Sequence, residues 1–71
     1  MQMNISARNA LRGKILEVNE GAVNAEVVIE LSGGAKVVSV ISKESANRLG
    51  LASGKQCYAV IKATNVMVAV D

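Results

Sequence analysis

Residues 22–42 read AVNAEVVIELSGGAKVVSVIS, and this stretch decides the fold. Its first half alternates apolar and mostly polar side chains, which is typical of a β-strand with one buried face. The apolar series is Val23, Ala25, Val27, Ile29 and Leu31. The segment 32–34 (Ser-Gly-Gly) predicts a turn, because two adjacent glycines readily adopt positive φ. We therefore expect a hairpin of two strands, 22–31 and 36–42.

Weaker patterns on both sides of the hairpin predict the remaining elements. Ser42 can cap a short helix with Ala46 and Leu49 on its apolar side, and Gly50 stands where a helix C-terminal glycine belongs. The predicted set is a strand at 14–19, a turn at 20–21, the hairpin, a helix at 43–49, and strands at 55–63 and 66–70. Five short strands with one helix between the third and fourth predict an all-β fold. The order is compatible with a small OB-like, five-stranded Greek-key barrel.

The composition predicts a single small domain, residues 1–71, that is assembled as an oligomer. The chain is 51% apolar but only 1% aromatic, so its core must come from aliphatic side chains. Domains of this size usually need a disulfide, a metal or oligomerisation for stability. Cys57 is the sole cysteine and histidine is absent, so oligomerisation remains. A plain small monomer is the alternative.

Several classes of function are not expected for this chain. It has no nucleophile–base pair and no spaced ligands for a metal cation, so we do not expect an enzyme or a metal-ion protein. A net charge of +2 and a single aromatic residue, Tyr58, argue against nucleic-acid partners. No apolar run reaches 18 residues, and residues 1–9 do not resemble a signal peptide. With one unpaired cysteine, these features predict a cytoplasmic protein without membrane partners.

The available polar groups are mostly hydrogen-bond donors. Hydroxyls, cationic side chains and backbone N–H groups are what a bound oxyanion requires. The same residues can instead be ordinary solvated loop residues, and the residues alone favour that bland interpretation. The donors lie in three groups: Ser6, Arg8 and Asn9; Ser39 and Ser42; Lys62, Thr64 and Asn65.

Three segments together resemble the signatures of a Mop domain. They are Ile-Ser-Ala-Arg-Asn at 5–9, followed by Leu11 and Gly13; Glu-Gly-Ala-Val-Asn-Ala-Glu-Val at 20–27; and Val-Ile-Lys-Ala-Thr-Asn-Val-Met at 60–67. The similarity runs in order from residue 3 to residue 70, and the chain resembles a molbindin, a free-standing Mop domain. Ala10 stands where the family commonly has Gln.

The resemblance implies a function as well as a fold. Molbindins are OB-like hexamers, described as trimers of dimers, that bind molybdate or tungstate at subunit interfaces. The implied function is oxyanion storage or homeostasis in the cytoplasm. Mop domains also occur in molybdate-responsive regulators and transporter ATPases. An oxyanion-sensing regulatory or interaction module that acts on a partner protein is therefore the alternative.

The resemblance also implies the residues that bind the oxyanion. The Ser-Ala-Arg-Asn motif supplies Ser6, Ala7 and Arg8, and the Ile-Lys-Ala-Thr motif supplies Lys62, Ala63 and Thr64. Ser42 is the expected hydroxyl donor from the middle of the chain, with Ser39 nearby as the competing choice. A second class of site, near the threefold axis of the family's hexamer, is expected around Val23 and Asn24.

Overall fold

The decisive hairpin forms as the alternation predicts, at the edge of one antiparallel sheet. The computed structural model describes residues 6–71. The sheet order is β3-β2-β1-β4. The elements are β1 (Asn9–Glu20), β2 (Asn24–Leu31), β3 (Lys36–Ser42), the helix α1 (Lys43–Arg48), β4 (Gln56–Ile61) and a one-turn 3-10 helix at Ala63–Asn65. Residues 3–5, the start of the Mop resemblance, lie outside the described residues.

The β2–β3 hairpin confirms the predicted strands 22–31 and 36–42 to within two residues. Val27 and Ile29 are buried, as the alternation requires. Gly33 and Gly34 have φ of 96° and 98°, a region that L side chains rarely adopt. Leu31 donates its N–H to the carbonyl of Ala35 at 2.7 Å and closes the turn.

The first strand is twice as long as the predicted segment 14–19. It lies at the centre of the sheet, where its first half pairs with β4 and its second half pairs with β2. The register of β1 against β2 shifts between Ile15 and Glu17, where β1 forms a β-bulge. The bulge bends the strand and curls the sheet. Pairing with β4 extends β1 through residues 9–13, where the side chains show little alternation.

The helix begins at Lys43, as predicted, and ends at Arg48, one residue before the end of the predicted range 43–49. The Ser42 hydroxyl accepts a hydrogen bond from the Ser45 N–H at 3.0 Å. Gly50, with φ of 64°, donates to Asn47, and Leu51 donates to Ala46. These two bonds form a Schellman motif. Ala46 is buried as predicted, whereas Leu49 is 54% exposed.

The predicted fifth strand at 66–70 is wrong for the described chain. Residues 66–71 have no strand ladder, and Met67, Val68 and Val70 are each about nine-tenths exposed. A strand needs a neighbour to satisfy its backbone, and none of the described residues forms a ladder with this segment. The four strands therefore make a curled half-barrel and not a closed five-stranded barrel.

The core lies inside the curl and is small. It consists of Ile15, Val27, Ile29 and Ala59, with Leu51 and Cys57 packed against it. Beside the core, the concave face opens into an apolar groove of about 400 Å³. The sheet thus has an incompletely covered apolar interior.

Candidate functional site

The β1–β4 ladder brings two of the predicted binding segments together. Asn9 pairs with Ile61 at the last step of this antiparallel ladder. Arg8 and Lys62 each adjoin a residue of this last pair, so they lie at the same end of the sheet. Segments more than 50 residues apart in sequence thus meet at one end of the sheet. We call this the cationic end, defined as residues 6–8 and 62–64.

The cationic end is open to solvent. Ser6, Arg8, Lys62 and Thr64 are exposed, and Ala7 is half-buried. Exposed cations and hydroxyls are free to reorient around a ligand, but their charges are weakened by water until a second surface covers them. The cationic end of one copy is therefore an open surface and not an enclosed pocket.

The 3-10 turn of the cationic end presents backbone donors. Lys62 precedes the turn in an extended conformation, with φ of −62° and ψ of 135°. The carbonyls of Lys62 and Ala63 accept from Asn65 and Val66 at 2.9 and 3.3 Å. The N–H groups at the start of such a turn have no acceptor within the turn itself. Ala63 and Thr64 can therefore offer N–H groups beside the Lys62 ammonium.

Ser42 lies at the opposite end of the sheet. It pairs with Asn24, next to the end of β1 that is remote from Arg8. The 12 residues of β1 separate these ends by about 36 Å along the strand. One chain therefore does not bring Ser42 together with the cationic end. Ser39, the competing serine, is half-buried and lines the apolar groove.

The Ser42 hydroxyl is already hydrogen-bonded within its own chain. Besides accepting from the Ser45 N–H, it donates to the Ser45 hydroxyl oxygen at 2.8 Å. A ligand at this position would compete with Ser45 for the Ser42 proton. The structure thus shows Ser42 as the helix cap, which the helix prediction identified from the sequence.

The residues expected at the second site lie beside Ser42. The Val23 carbonyl accepts from the Lys43 N–H at 2.7 Å, and Asn24 pairs directly with Ser42. Lys43 also places its ammonium 3.9 Å from a Glu20 carboxylate oxygen, in a partly exposed ion pair. Such a pair contributes little to stability. The sequence reasoning missed Lys43 as a cation of this region, although its position directly after Ser42 was a usable signal.

The remaining titratable side chains of residues 6–71 form no further cluster that suggests chemistry. Arg12 lies over the Tyr58 ring at 5.8 Å from its centroid, which is cation–π distance. Burial raises the pKa of the Cys57 thiol. Within residues 6–71, no three His, Cys, Asp or Glu side chains are grouped to hold a metal ion. Neither helix in this range has the length and apolar character of a membrane span.

Short relatives match this chain along nearly its whole length. Molybdenum-pterin-binding protein 3 from Clostridium pasteurianum is 53% identical over 66 residues, covering 93% of this chain and 97% of the relative. The solved structure of MopII from the same organism matches with a TM-score of 0.90 and 46% identity, covering 94% of this chain and 100% of that one. A molybdate-binding protein from Sporomusa ovata also matches with a TM-score of 0.90, at 34% identity, over 96% of this chain and all of the other.

Longer proteins contain a similar unit. The molybdenum transport protein ModE from Azotobacter vinelandii is 38% identical over 68 residues, which are 96% of this chain and 25% of ModE. The cytoplasmic molybdate-binding protein ModG matches with a TM-score of 0.83 and 54% identity, over 86% of this chain and 43% of ModG. The family model that matches residues 5–68 is described as the TOBE domain. The chain belongs to the TOBE-domain family, in the group of small molbindins that the short relatives represent.

Proposed function

We propose that this protein binds molybdate, or the similar oxyanion tungstate, and stores or buffers it in the cytoplasm without catalysing a reaction. The observation that carries the proposal is the β1–β4 register, whose last pair, Asn9 and Ile61, is adjoined by Arg8 and Lys62 at the cationic end. The similarity to MopII and to the molybdate-binding protein of Sporomusa ovata supports the choice of ligand. The similarity to ModG, described as cytoplasmic, supports the compartment.

The chemistry of the cationic end suits a fully deprotonated tetrahedral dianion. Molybdate has four acceptor oxygens and no proton at neutral pH, while Arg8, Lys62 and the hydroxyls of Ser6 and Thr64 offer donors. Hydrogen bonds with a charged partner are roughly twice as strong as neutral ones. Phosphate keeps a proton at pH 7, and an unmatched buried donor costs about 1–3 kcal/mol. A site lined by donors therefore discriminates against phosphate, whereas sulfate is excluded only by its smaller size.

A second copy completes the proposed site. Ser42 is about one strand length from Arg8 in its own chain, so it reaches the oxyanion only from a sister subunit. A homo-oligomer, in the molbindin case a hexamer built as a trimer of dimers, supplies such a pairing. The region of Val23 and Asn24, with Lys43 beside it, is the proposed second class of site.

A regulatory module is the second candidate function. The match to one quarter of ModE is the observation that favours it, because the same unit there forms part of a larger protein. In this case the oxyanion would change binding to a partner protein. A pull-down from cell extract with and without molybdate tests this second function. A partner protein that is retained in only one of the two conditions supports a regulatory module, whereas identical eluates support simple storage of the oxyanion.

Isothermal titration calorimetry tests the proposed function. Molybdate and tungstate are expected to bind, with sulfate, phosphate and a pterin as parallel controls. Arg8→Ala and Lys62→Ala each remove one charge-assisted hydrogen-bond donor, worth about 1.5–3 kcal/mol. Affinity should therefore fall about 10-fold to 150-fold in each.

Lys14→Ala is the matched control, because it removes an exposed lysine in the middle of β1, six residues along the chain from Arg8. It should bind as the parent does. Absence of heat with both molybdate and tungstate contradicts the function. Normal binding by Arg8→Ala and Lys62→Ala contradicts the site while leaving the function standing.

A further inference from the structure

The turn between β1 and β2 is joined to the start of α1 by hydrogen bonds. The Gly21 N–H donates to the Asn24 carbonyl at 2.7 Å and closes the turn. The Lys43 N–H donates to the Val23 carbonyl, also at 2.7 Å. Asn24 pairs with Ser42, the residue before Lys43, in the ladder of β2 and β3. The turn and the first residue of the helix therefore form one connected unit, and the proposed second class of site lies within it.

This unit contains a cation and, beside it, a carboxylate. Glu20 is the last residue of β1, directly before the turn. One of its carboxylate oxygens lies 3.9 Å from the Lys43 ammonium nitrogen. The turn itself is open to solvent, with Val23 73% exposed, so a small anion can reach the Lys43 ammonium from outside. In this structure the negative charge beside Lys43 is that of Glu20.

The contact between Glu20 and Lys43 is weak enough to be exchanged. Its 3.9 Å exceeds the length of about 2.7–2.9 Å that is usual for a hydrogen bond between charged groups. The side chains of Lys43 and Glu20 are 43% and 46% exposed, so water screens their charges. Exposed pairs of this kind contribute little net stability. A tetrahedral dianion with four acceptor oxygens can therefore replace the single carboxylate at Lys43.

We propose that Glu20 is a built-in competitor of the oxyanion for Lys43. An oxyanion that binds beside Val23 and Asn24 takes the place of the Glu20 carboxylate at the Lys43 ammonium, and the carboxylate turns to solvent. Glu20 thus lowers the affinity of the second class of site. The inference rests on the proposed function and adds the residue that regulates its second site.

The charges of the two sites predict the order in which they fill. The cationic end contains Arg8 and Lys62 and no carboxylate among residues 6–8 and 62–64. The second site has Lys43, whose charge is already paired with that of Glu20. Molybdate therefore binds the cationic end first and binds beside Lys43 only at a higher concentration, which gives the store a second capacity.

Isothermal titration with molybdate tests the proposal through two substitutions that nearly preserve side-chain size. Glu20→Gln removes the competing charge and should tighten the weaker class of sites about 2-fold to 5-fold. Lys43→Met removes the ammonium and should weaken the same class about 5-fold or more. The tighter class, at the cationic end, should keep the affinity of the parent in both variants.

The double variant, Glu20→Gln with Lys43→Met, distinguishes competition from general repulsion. If Glu20 acts by pairing with Lys43, its substitution has no effect once Lys43 is replaced, so the double variant should bind as Lys43→Met does. If Glu20→Gln instead tightens the weaker class by the same factor in both backgrounds, Glu20 only repels the anion from a distance, and the proposal is overturned.

Glu17→Gln is the matched control, because it removes the charge of another exposed glutamate of β1, one whose ladder partner is Val28. It should bind both classes as the parent does. A parent with a single class of sites overturns the proposal while the function stands, and a weaker class that Glu20→Gln leaves unchanged has the same meaning. Absence of heat with the parent instead contradicts the proposed function, and the proposal with it.

Carbon-13 NMR of the parent follows the exchange directly and needs no substitution. The side-chain carboxylate resonance of Glu20 should shift while molybdate fills the weaker class of sites, whereas that of Glu17 should not. A Glu20 resonance that stays unchanged while this class fills overturns the proposal.

Discussion

Gly13 is the position where a single methyl group should disturb the sheet most. It lies in the central strand β1, opposite Leu31 of β2 and Cys57 of β4. A Cβ at Gly13 would be 2.6 Å from Ile29 Cγ2 and 2.8 Å from the Glu30 carbonyl oxygen. Ile29 is buried in the core, and the Glu30 oxygen belongs to the strand backbone, so neither can move away freely.

The expected cost of Gly13→Ala follows from that contact. Overpacking in a well-packed site costs about 1–3 kcal/mol. Loss of backbone freedom in the unfolded chain offsets about 0.4–1 kcal/mol. A net decrease of about 1–2 kcal/mol in the free energy of unfolding should remain. For a domain of this size, each kcal/mol lowers the melting temperature by about 4–8 °C.

Urea unfolding followed by circular dichroism measures this change, at one fixed protein concentration because the stability of an oligomer depends on concentration. Gly21→Ala is the control, because its Cβ would meet a single atom, the Asn24 carbonyl oxygen, at 3.2 Å in an exposed turn. It should change stability by less than about 1 kcal/mol. If Gly13→Ala unfolds at the same urea concentration as the parent, the close approach of β1 and β2 at Gly13 is wrong.

Three further outcomes are expected. Ser42→Ala removes the helix cap and should lower the free energy of unfolding, measured by thermal unfolding, by about 1 kcal/mol. The control Ser32→Ala, in the hairpin turn, should lower it by less, and equal losses in the two variants would contradict the cap. Gly50→Ala places a side chain at φ of 64° and should cost about 1–2 kcal/mol, so an unchanged melting temperature would contradict the helix end. Burial raises the pKa of the Cys57 thiol in the folded protein above its ordinary value of 9.0. The protonated thiol therefore contributes its whole stabilisation below pH 9, and this contribution is lost as the pH rises through the pKa of the folded state. The stability advantage of the parent over Cys57→Ala should therefore shrink above pH 9, and a pH-independent difference would refute this.

Local patterns were sufficient where neighbouring residues in sequence decide the structure. The alternation and the Gly33–Gly34 pair predicted the β2–β3 hairpin, and Ser42 and Gly50 marked the two ends of α1. In each case the physical cause lies within a few residues: a period of two, a positive φ, or a side chain that caps a nearby N–H. The fold class was predictable for this reason.

Local patterns failed where the partner is distant. Residues 9–13 become strand because β4 pairs with them, and residues 66–70 do not become strand within one chain because no described strand lies beside them. Residue type alone does not reveal which distant edge a segment meets.

The sequence by itself determined an all-β, aliphatic, mildly basic small domain with hydrogen-bond donors at both ends of the chain. The hydrophobic period, the turn residues and the charge are local properties of the sequence, so they can be predicted without the three-dimensional structure. Only the tertiary structure decided that Arg8 and Lys62 lie at the same end of the sheet and that Ser42 lies at the other end, because an antiparallel register is set by long-range pairing. The same long-range pairing leaves the groove open between β3 and β4, so the sheet of one chain ends with its interior exposed.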